Sequence, residues 1–254
     1  INTPDTKIWT VEDPVEITQK GLRQVQVNRK AGIDFATMMR AFLRVDPDVI
    51  MVGEMRDHDA VAVGIEASLT GHLVFSTLHT NSAPESVVRL LDMGMDPFNF
   101  ADALLGVLAQ RLAKRLCTKC RVSYQPNDDE VNRLLDEYCE DMHLTEDFRA
   151  DAEAARQRVL TRWKQDFAGN DGRFTLYRPV GCEPCNQGST GRVGLHELML
   201  GSDAIKRPIQ ARGRVDQILG QALGEGMRTL RQDGMEKVLA GITDMKQVRK
   251  VCVR

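Results

Sequence analysis

The sequence predicts an α/β protein: a mostly parallel sheet first, then a subdomain pinned by four cysteines, then a helical C-terminal region. Three observations carry this reading. Over the first hundred residues short β-rich runs alternate with amphipathic helical runs, the pace of βαβ units and a parallel sheet. Further on, two C-x-x-C pairs flank a polar helical stretch. From residue 203 onward apolar positions return at helical spacing between glycine breaks.

The elements follow in order. Residues 7–12 (KIWTVE) read as a short buried strand ending at a carboxylate and Pro14. Residues 21–32 alternate apolar and polar positions at Leu22, Val25 and Val27, the pattern of a hairpin or an extended loop. Phe35, Met38, Met39, Phe42 and Leu43 recur at helical spacing, and Pro47 closes that helix. Residues 49–52 (VIMV) form a strand bounded by Pro47 and Gly53. A helix runs from Asp57, an N-cap residue, to Gly71, a natural stop. Residues 72–79 give another strand, after which Ser82, Pro84 and Glu85 combine the signals of a helix start. Residues 98–116 read as an apolar-faced helix leading into Cys117, and residues 128–168 as one or two exposed helices. Residues 169–195 are glycine-rich and carry the second cysteine pair. Ser202 or Asp203 opens the last helical region, broken at Gly220, Gly224, Gly226 and Gly241. The predicted division is therefore 1–116, 117–195 with a helical insertion at about 128–168, and 196–254.

Composition narrows the class. The 254 residues are 42% hydrophobic and 28% charged, which argues against wholesale disorder. With 34 Lys+Arg against 36 Asp+Glu the net charge is −2, so bulk electrostatics gives no reason to expect nucleic-acid binding. The local basic group Lys114, Arg115, Lys119 and Arg121 lacks interleaved aromatics and does not change that. No apolar run approaches the ~20 residues that cross a bilayer. The first residues show neither the basic start nor the apolar stretch of a signal peptide. They run almost at once into an interior-type strand, which suggests a piece of a longer protein.

Three strands end in chemistry. In parallel α/β sheets ligands bind beyond the carboxyl ends of the strands. The first strand ends in Glu12-Asp13, the second in Gly53-Glu54 with Arg56 and Asp57 behind, the third in His79 followed by a helix start. Each alone is ordinarily a solvated loop residue. Together they suit a metal-bound polyphosphate: carboxylates hold Mg²⁺ and orient a water, and a histidine senses the terminal phosphate. His72 precedes His79 by seven residues, roughly 23 Å along a strand, so the two do not share one phosphate.

Cys117-x-x-Cys120 and Cys182-x-x-Cys185 supply four thiolates, the donor set of a closed structural zinc site. Gly181 and Gly188 permit the tight turns such knuckles need. A redox C-x-x-C requires one reactive pair at a βα junction, which two pairs fit poorly. Cys139 and Cys252 stand alone and read as packing residues. In the insertion, Leu134, Leu135, Tyr138 and Met142 share a helix face that either packs on the zinc subdomain or meets a partner.

These residues carry a family resemblance. TVEDPVE at 10–16, DPDVIMVGEMRD at 46–57 and GHLVFSTLHTN at 71–81 resemble the aspartate box, Walker B segment and histidine box of the secretion and type IV pilus motor ATPases, the GspE/PilB family. GRVGLHEL at 191–198 and TLRQDGMEKVLAGIT at 229–243 resemble its C-terminal segments. The resemblance implies a RecA-like core at 1–116 and a hexameric motor that uses ATP and Mg²⁺ to assemble a pilus or a type II secretion pseudopilus. By position, Glu12 would activate the attacking water, Glu54 would be the Walker B acid near Mg²⁺, and His79 would contact the γ-phosphate. Asp13, Gly53 and Arg56 would complete the nucleotide side of that rim. The tetracysteine favours assembly motors over retraction motors. The implied partners are inner-membrane platform proteins and cytoplasmic adaptors, met at the cytoplasmic face of the inner membrane. One departure stands out: the family's phosphate loop, G-x-x-x-x-G-K-[ST], occurs nowhere in these residues. The expectation is an enzyme in the parent protein and an inactive fragment alone. The rival reading is a non-catalytic, zinc-stabilised interaction module on a degenerate NTPase fold.

Overall fold

The computed structural model describes residues 1–252. In chain order the elements are β1 (Ile8–Glu12), β2 (Leu22–Gln26), α1 (Phe35–Phe42), β3 (Val49–Val52), α2 (His58–Leu69), β4 (Leu73–Ser76), α3 (Ala83–Asp92) and α4 (Pro97–Ala103). There follow β5 (Gly106–Leu116), β6 (Val122–Tyr124), α5 (Asp128–Cys139), α6 (Glu146–Ala150), α7 (Ala152–Phe167), β7 (Leu176–Arg178) and β8 (Ser189–Leu200). The last four are α8 (Asp203–Gln210), α9 (Val215–Gly224), α10 (Leu230–Leu239) and α11 (Met245–Val251). They gather into two compact units. The first holds Ile1–Thr80, Glu85–Leu105 and Gly201–Gly213; the second holds Asn81–Pro84, Gly106–Leu200 and the residues from Arg214 on.

In the first unit four parallel strands run in the order β2-β1-β3-β4. Interior strands of a parallel sheet must be apolar on both faces, and Val11, Ile50 and Val52 are fully buried. Met39 and Phe42 of α1 and Ala60 and Ala67 of α2 complete this core. Both helices start on an aspartate. Asp34 accepts the Thr37 N–H at 2.7 Å and Asp57 the Ala60 N–H at 2.9 Å, each satisfying an otherwise orphaned donor.

Three expectations change here. The stretch at 21–32 is not a hairpin: β2 lies parallel to β1, in register from Ile8 opposite Leu22 to Glu12 opposite Gln26. The strand read over 72–79 is confined to Leu73–Ser76. Beyond it the Thr77 hydroxyl donates to Gly53 O at 2.5 Å and Thr77 O accepts the Met55 N–H at 3.1 Å, so the chain leaves the ladder before His79. The helix read over 98–116 stops at Ala103, and Gly106–Leu116 is a strand.

That strand, β5, pairs antiparallel with β8 in a long ribbon that forms the spine of the second unit, with a register shift between Lys114 and Leu116. The polar stretch 128–168 holds three helices instead of one or two, and their inner faces are not exposed. Leu134, Leu135 and Tyr138 of α5 and Trp163 of α7 pack with Met235, Val238 and Leu239 of α10 and Val248 of α11 in one core. Tyr138 meets the Trp163 ring edge-on, with centroids 5.0 Å apart, a favoured aromatic geometry.

Candidate functional site

β1 and β3 run side by side with Val11 opposite Val52, so the residues that follow, Glu12 and Gly53-Glu54, leave the sheet together. The Gly53 N–H donates to Val11 O at 2.8 Å. A Cβ at Gly53 would stand 3.2 Å from that oxygen and 3.3 Å from Glu12 Cα, so a side chain there would push the two strand ends apart.

Glu12 is held from its own strand and from the next. Its Oε1 accepts the Thr10 hydroxyl at 2.5 Å and the Gln24 amide at 3.0 Å. Both donors fall on one oxygen, which leaves Oε2 as the basic atom. Glu54 is mostly covered: its Oε2 accepts from the Arg56 guanidinium, and its Oε1 stands 3.2 Å from His79 Nε2. His79 itself is 84% exposed, so its position depends on this contact and on the chain around it. Asp13 faces Arg29 across 3.8 Å. Glu12, Asp13, Gly53 and Glu54 line one cleft of ≈ 370 Å³ with Gln24 and Phe35. Glu54 thus belongs to both groupings, the cleft and the Arg56–His79 cluster. His72 lies elsewhere, with Nδ1 3.1 Å from Ala67 O at the end of α2. Thr10 and Gln24 were not among the residues the sequence singled out. They lie directly opposite each other on β1 and β2, a register that the sequence does not display.

In the second unit, Cys117, Cys120, Cys182 and Cys185 converge, with all four Sγ atoms within 4.8 Å of one another. The Cys117–Cys182 and Cys120–Cys185 separations are 3.8 Å, and Cys182–Cys185 is 3.5 Å. Four sulfurs at tetrahedral corners about 2.3 Å from a metal lie about 3.8 Å apart, so the donor set fits such an ion. Backbone N–H groups of Gly181, Cys182 and Gly188 donate to the sulfurs at 3.1–3.4 Å, the contacts that stabilise thiolate character. The Thr190 hydroxyl holds the Cys117 thiol well below its ordinary range, whereas the hydrogen bond with Cys185 pushes Cys182 up. Neighbouring thiolates repel, and a dication at their centre would relieve that conflict.

A family model described as "Type II/IV secretion system protein" matches residues 1–250. The chain belongs to that secretion-system family. Among its curated relatives, the type IV pilus assembly ATPase PilB of Thermus thermophilus is 43% identical over 249 residues, 98% of this chain but 25% of that protein. PilB of Pseudomonas aeruginosa is 42% identical, over 99% of this chain and 39% of the relative. Type II secretion system protein E of Dickeya dadantii is 43% identical, over 99% and 44%. The chain thus spans less than half the length of these relatives. Among solved structures, the pilus retraction motor PilT with bound ADP superposes with a TM-score of 0.60 at 22% identity, over 98% of this chain and 53% of that one. The Legionella pneumophila ATPase DotB gives 0.58 at 19%, over 98% and 53%. These two speak for the fold alone, an α/β RecA-like arrangement.

Proposed function

We propose that this chain is the hydrolytic part of a motor ATPase that drives assembly of a type IV pilus or a type II secretion pseudopilus. The observation that carries this reading is that Glu54 shares one cleft with Glu12 and stands 3.2 Å from His79, all at or beyond the carboxyl ends of the parallel strands. Glu12 accepts the proton of the attacking water through Oε2 while Thr10 and Gln24 hold Oε1. Glu54 stands on the metal side of the cleft, and His79, tethered to it, meets the terminal phosphate. Arg56 fixes the Glu54 carboxylate, and Asp13 and Gly53 shape the wall beside it. Mg²⁺ arriving with ATP would be held on the Glu54 side of the cleft and would supply charge neutralisation there.

The residues fit the hydrolytic side of a nucleotide site but not its phosphate cradle, since these 254 residues contain no glycine-rich loop with Lys-Ser or Lys-Thr. β4 ends the sheet with Phe75 47% exposed, an edge that a strand carrying such a loop could join. Alone, the chain binds ATP weakly and does not turn it over. The parent works as a hexameric ring in the cytoplasm, at inner-membrane platform and adaptor proteins. The four cysteines hold a structural Zn²⁺, with no open position for substrate.

The test is phosphate release by the full-length protein and by this chain. The full-length protein should hydrolyse ATP, and Glu12→Gln and Glu54→Gln should each lower kcat by roughly 10²-fold or more. An inactive full-length protein, or variants as active as the parent, would sink the reading in favour of a non-catalytic interaction module. Robust turnover by the 254 residues would overturn the claim of fragment inactivity.

A further inference from the structure

Within the second unit, the chain that leaves α10 runs along the first cysteine pair. α10 ends in a Schellman turn, in which the Gly241 N–H donates to Val238 O at 2.9 Å and the Ile242 N–H to Lys237 O at 2.8 Å. Gly241 holds φ at +71°, and a Cβ there would stand 2.5 Å from Tyr177 Cε2, so the turn and the ring both demand glycine. The three residues from Gly241 on then bond, one each, to the chain around Cys117 and Cys120. Gly241 O accepts from the Arg121 guanidinium. Ile242 O accepts the Leu116 N–H at 2.9 Å. The Thr243 hydroxyl, on a residue only 1% exposed, donates to Lys114 O at 2.8 Å.

These bonds bracket the first C-x-x-C turn. Lys114 and Leu116 precede Cys117 at the register shift of the β5–β8 ribbon, and Arg121 follows Cys120. Thr118 and Lys119 at the tip of the turn are exposed, so the turn depends on the chain at its two ends. Arg121 is fixed twice more. Its N–H donates to Cys117 O at 3.0 Å, which closes the turn, and its guanidinium lies 4.2 Å from the centre of the Tyr177 ring, a cation–π contact. Its charge also meets the C-terminal, negative end of α10. All of these groups belong to the second unit.

We infer that residues 241–243 are a strap that seats the first cysteine pair, with Arg121 as its clasp, so that metal at the four thiolates and the docked end of α10 stabilise each other. Arg121 and Thr243 are positioning residues, and neither offers a ligand atom to the cluster. An ion that binds only the assembled site favours every contact that assembles it, and by linkage those contacts favour the ion. A loosened strap lets Cys117 and Cys120 drift from Cys182 and Cys185. Metal release in turn frees the strap and the start of α11, whose N-cap, Asp244, is the next residue. The inference rests on the metal site proposed above.

The experiment measures Zn²⁺ affinity, by competition with a chromophoric chelator, and hydrogen exchange. Arg121→Ala and Thr243→Val should each weaken Zn²⁺ binding roughly tenfold or more, the usual effect of losing a group that supports a metal ligand. Arg121→Lys keeps the charge but not the planar fork and should fall between. Arg156→Ala breaks an ion pair with Asp136 elsewhere in the same unit and should bind Zn²⁺ as the parent does. At labelling times short enough that residues 134–139 of the core stay protected, stripping the metal should raise exchange at 240–246 roughly tenfold. Unchanged affinity in both Arg121→Ala and Thr243→Val, an equal loss in Arg156→Ala, or residues 240–246 as protected without metal as with it would each overturn the inference. If Arg121→Ala fails to fold, Arg121→Lys and Thr243→Val decide. An unsubstituted protein that binds no zinc would defeat the metal site and the inference together, whereas bound zinc with indifferent variants defeats the inference alone.

Discussion

Glu12 carries both of its hydrogen bonds on Oε1, one from its own strand and one from β2. Each donor lowers the freedom of a carboxylate that, in the function proposed above, faces the attacking water. Thr10→Val and Gln24→Ala should therefore lower kcat in the full-length protein by roughly tenfold each while nucleotide affinity holds, since a hydrogen bond to a charged group is worth about 1.5–3 kcal/mol. Steady-state kinetics checks this, and unchanged kcat in both would show that Glu12 needs no support. Elsewhere, Asp34 is a structural carboxylate with a pH signature. The Thr37 N–H holds its carboxyl below the ordinary value. A lowered native pKa gives stability that is fully present above the unfolded value and is lost as pH falls through the folded one. Asp34→Ala should thus cost about 1 kcal/mol near neutral pH, and the penalty should shrink on acidification to about pH 2.5. Urea titrations at both pH values test it; a penalty independent of pH would show that the cap is not electrostatic. The places of Glu12 and Glu54 at strand ends were legible because a polar residue closing a β-rich run marks such an end, whereas His79 stands beyond a strand that stops at Ser76. Thr10 and Gln24 were not legible, because their meeting depends on strand register.

Among elements, the strands that end at the site follow from β-rich runs between glycine and proline, and β1, β3 and α2 lie where those signals place them. β5 misleads for a physical reason. Leu104, Leu108, Leu112 and Leu116 recur every four residues, which a helix would place on one face. In the ribbon the same spacing puts Leu108 and Leu112 on the outward face, 58% and 50% exposed, while Ala113 and Leu116 turn in. Periodicity counts apolar residues and does not say which of them a fold leaves uncovered. The α5–α7 insertion reads as solvated because its mean polarity is high, yet its single tryptophan is wholly buried against α5 and α10. This makes the insertion part of the core. Trp163→Ala should cost about 3–5 kcal/mol, the range for a large aromatic removed from a packed interior. Denaturant unfolding measures it, and a loss below about 1 kcal/mol would mean that the insertion merely rests on the surface.

At the scale of the whole molecule, two units each have their own core, and the two tryptophans fall one in each. Trp9 stacks obliquely on Phe42 at 5.0 Å in the first, and Trp163 sits at the centre of the second. The cysteine cluster belongs wholly to the second unit and closes a loop of 65 residues between Cys117 and Cys182. A metal bound there acts on folding by mass action, because the unfolded chain offers no preformed site. Free metal at a thousandfold excess over its dissociation constant gives about 4 kcal/mol. Spread over a unit of this size, that corresponds to a melting shift of about 10 °C. Trp9→Phe leaves Trp163 as the sole reporter, and Trp163→Phe leaves Trp9. A strong chelator should therefore lower the melting temperature followed by Trp163 fluorescence and leave the transition followed by Trp9 in place. Cys182→Ser should copy the chelator's effect and abolish the response to added Zn²⁺, with elemental analysis falling from one zinc per chain toward none. If both reporters shift together, the two units melt as one and the cluster stabilises the whole chain. If neither shifts, the four thiols are not a structural metal site, however well their spacing suits one.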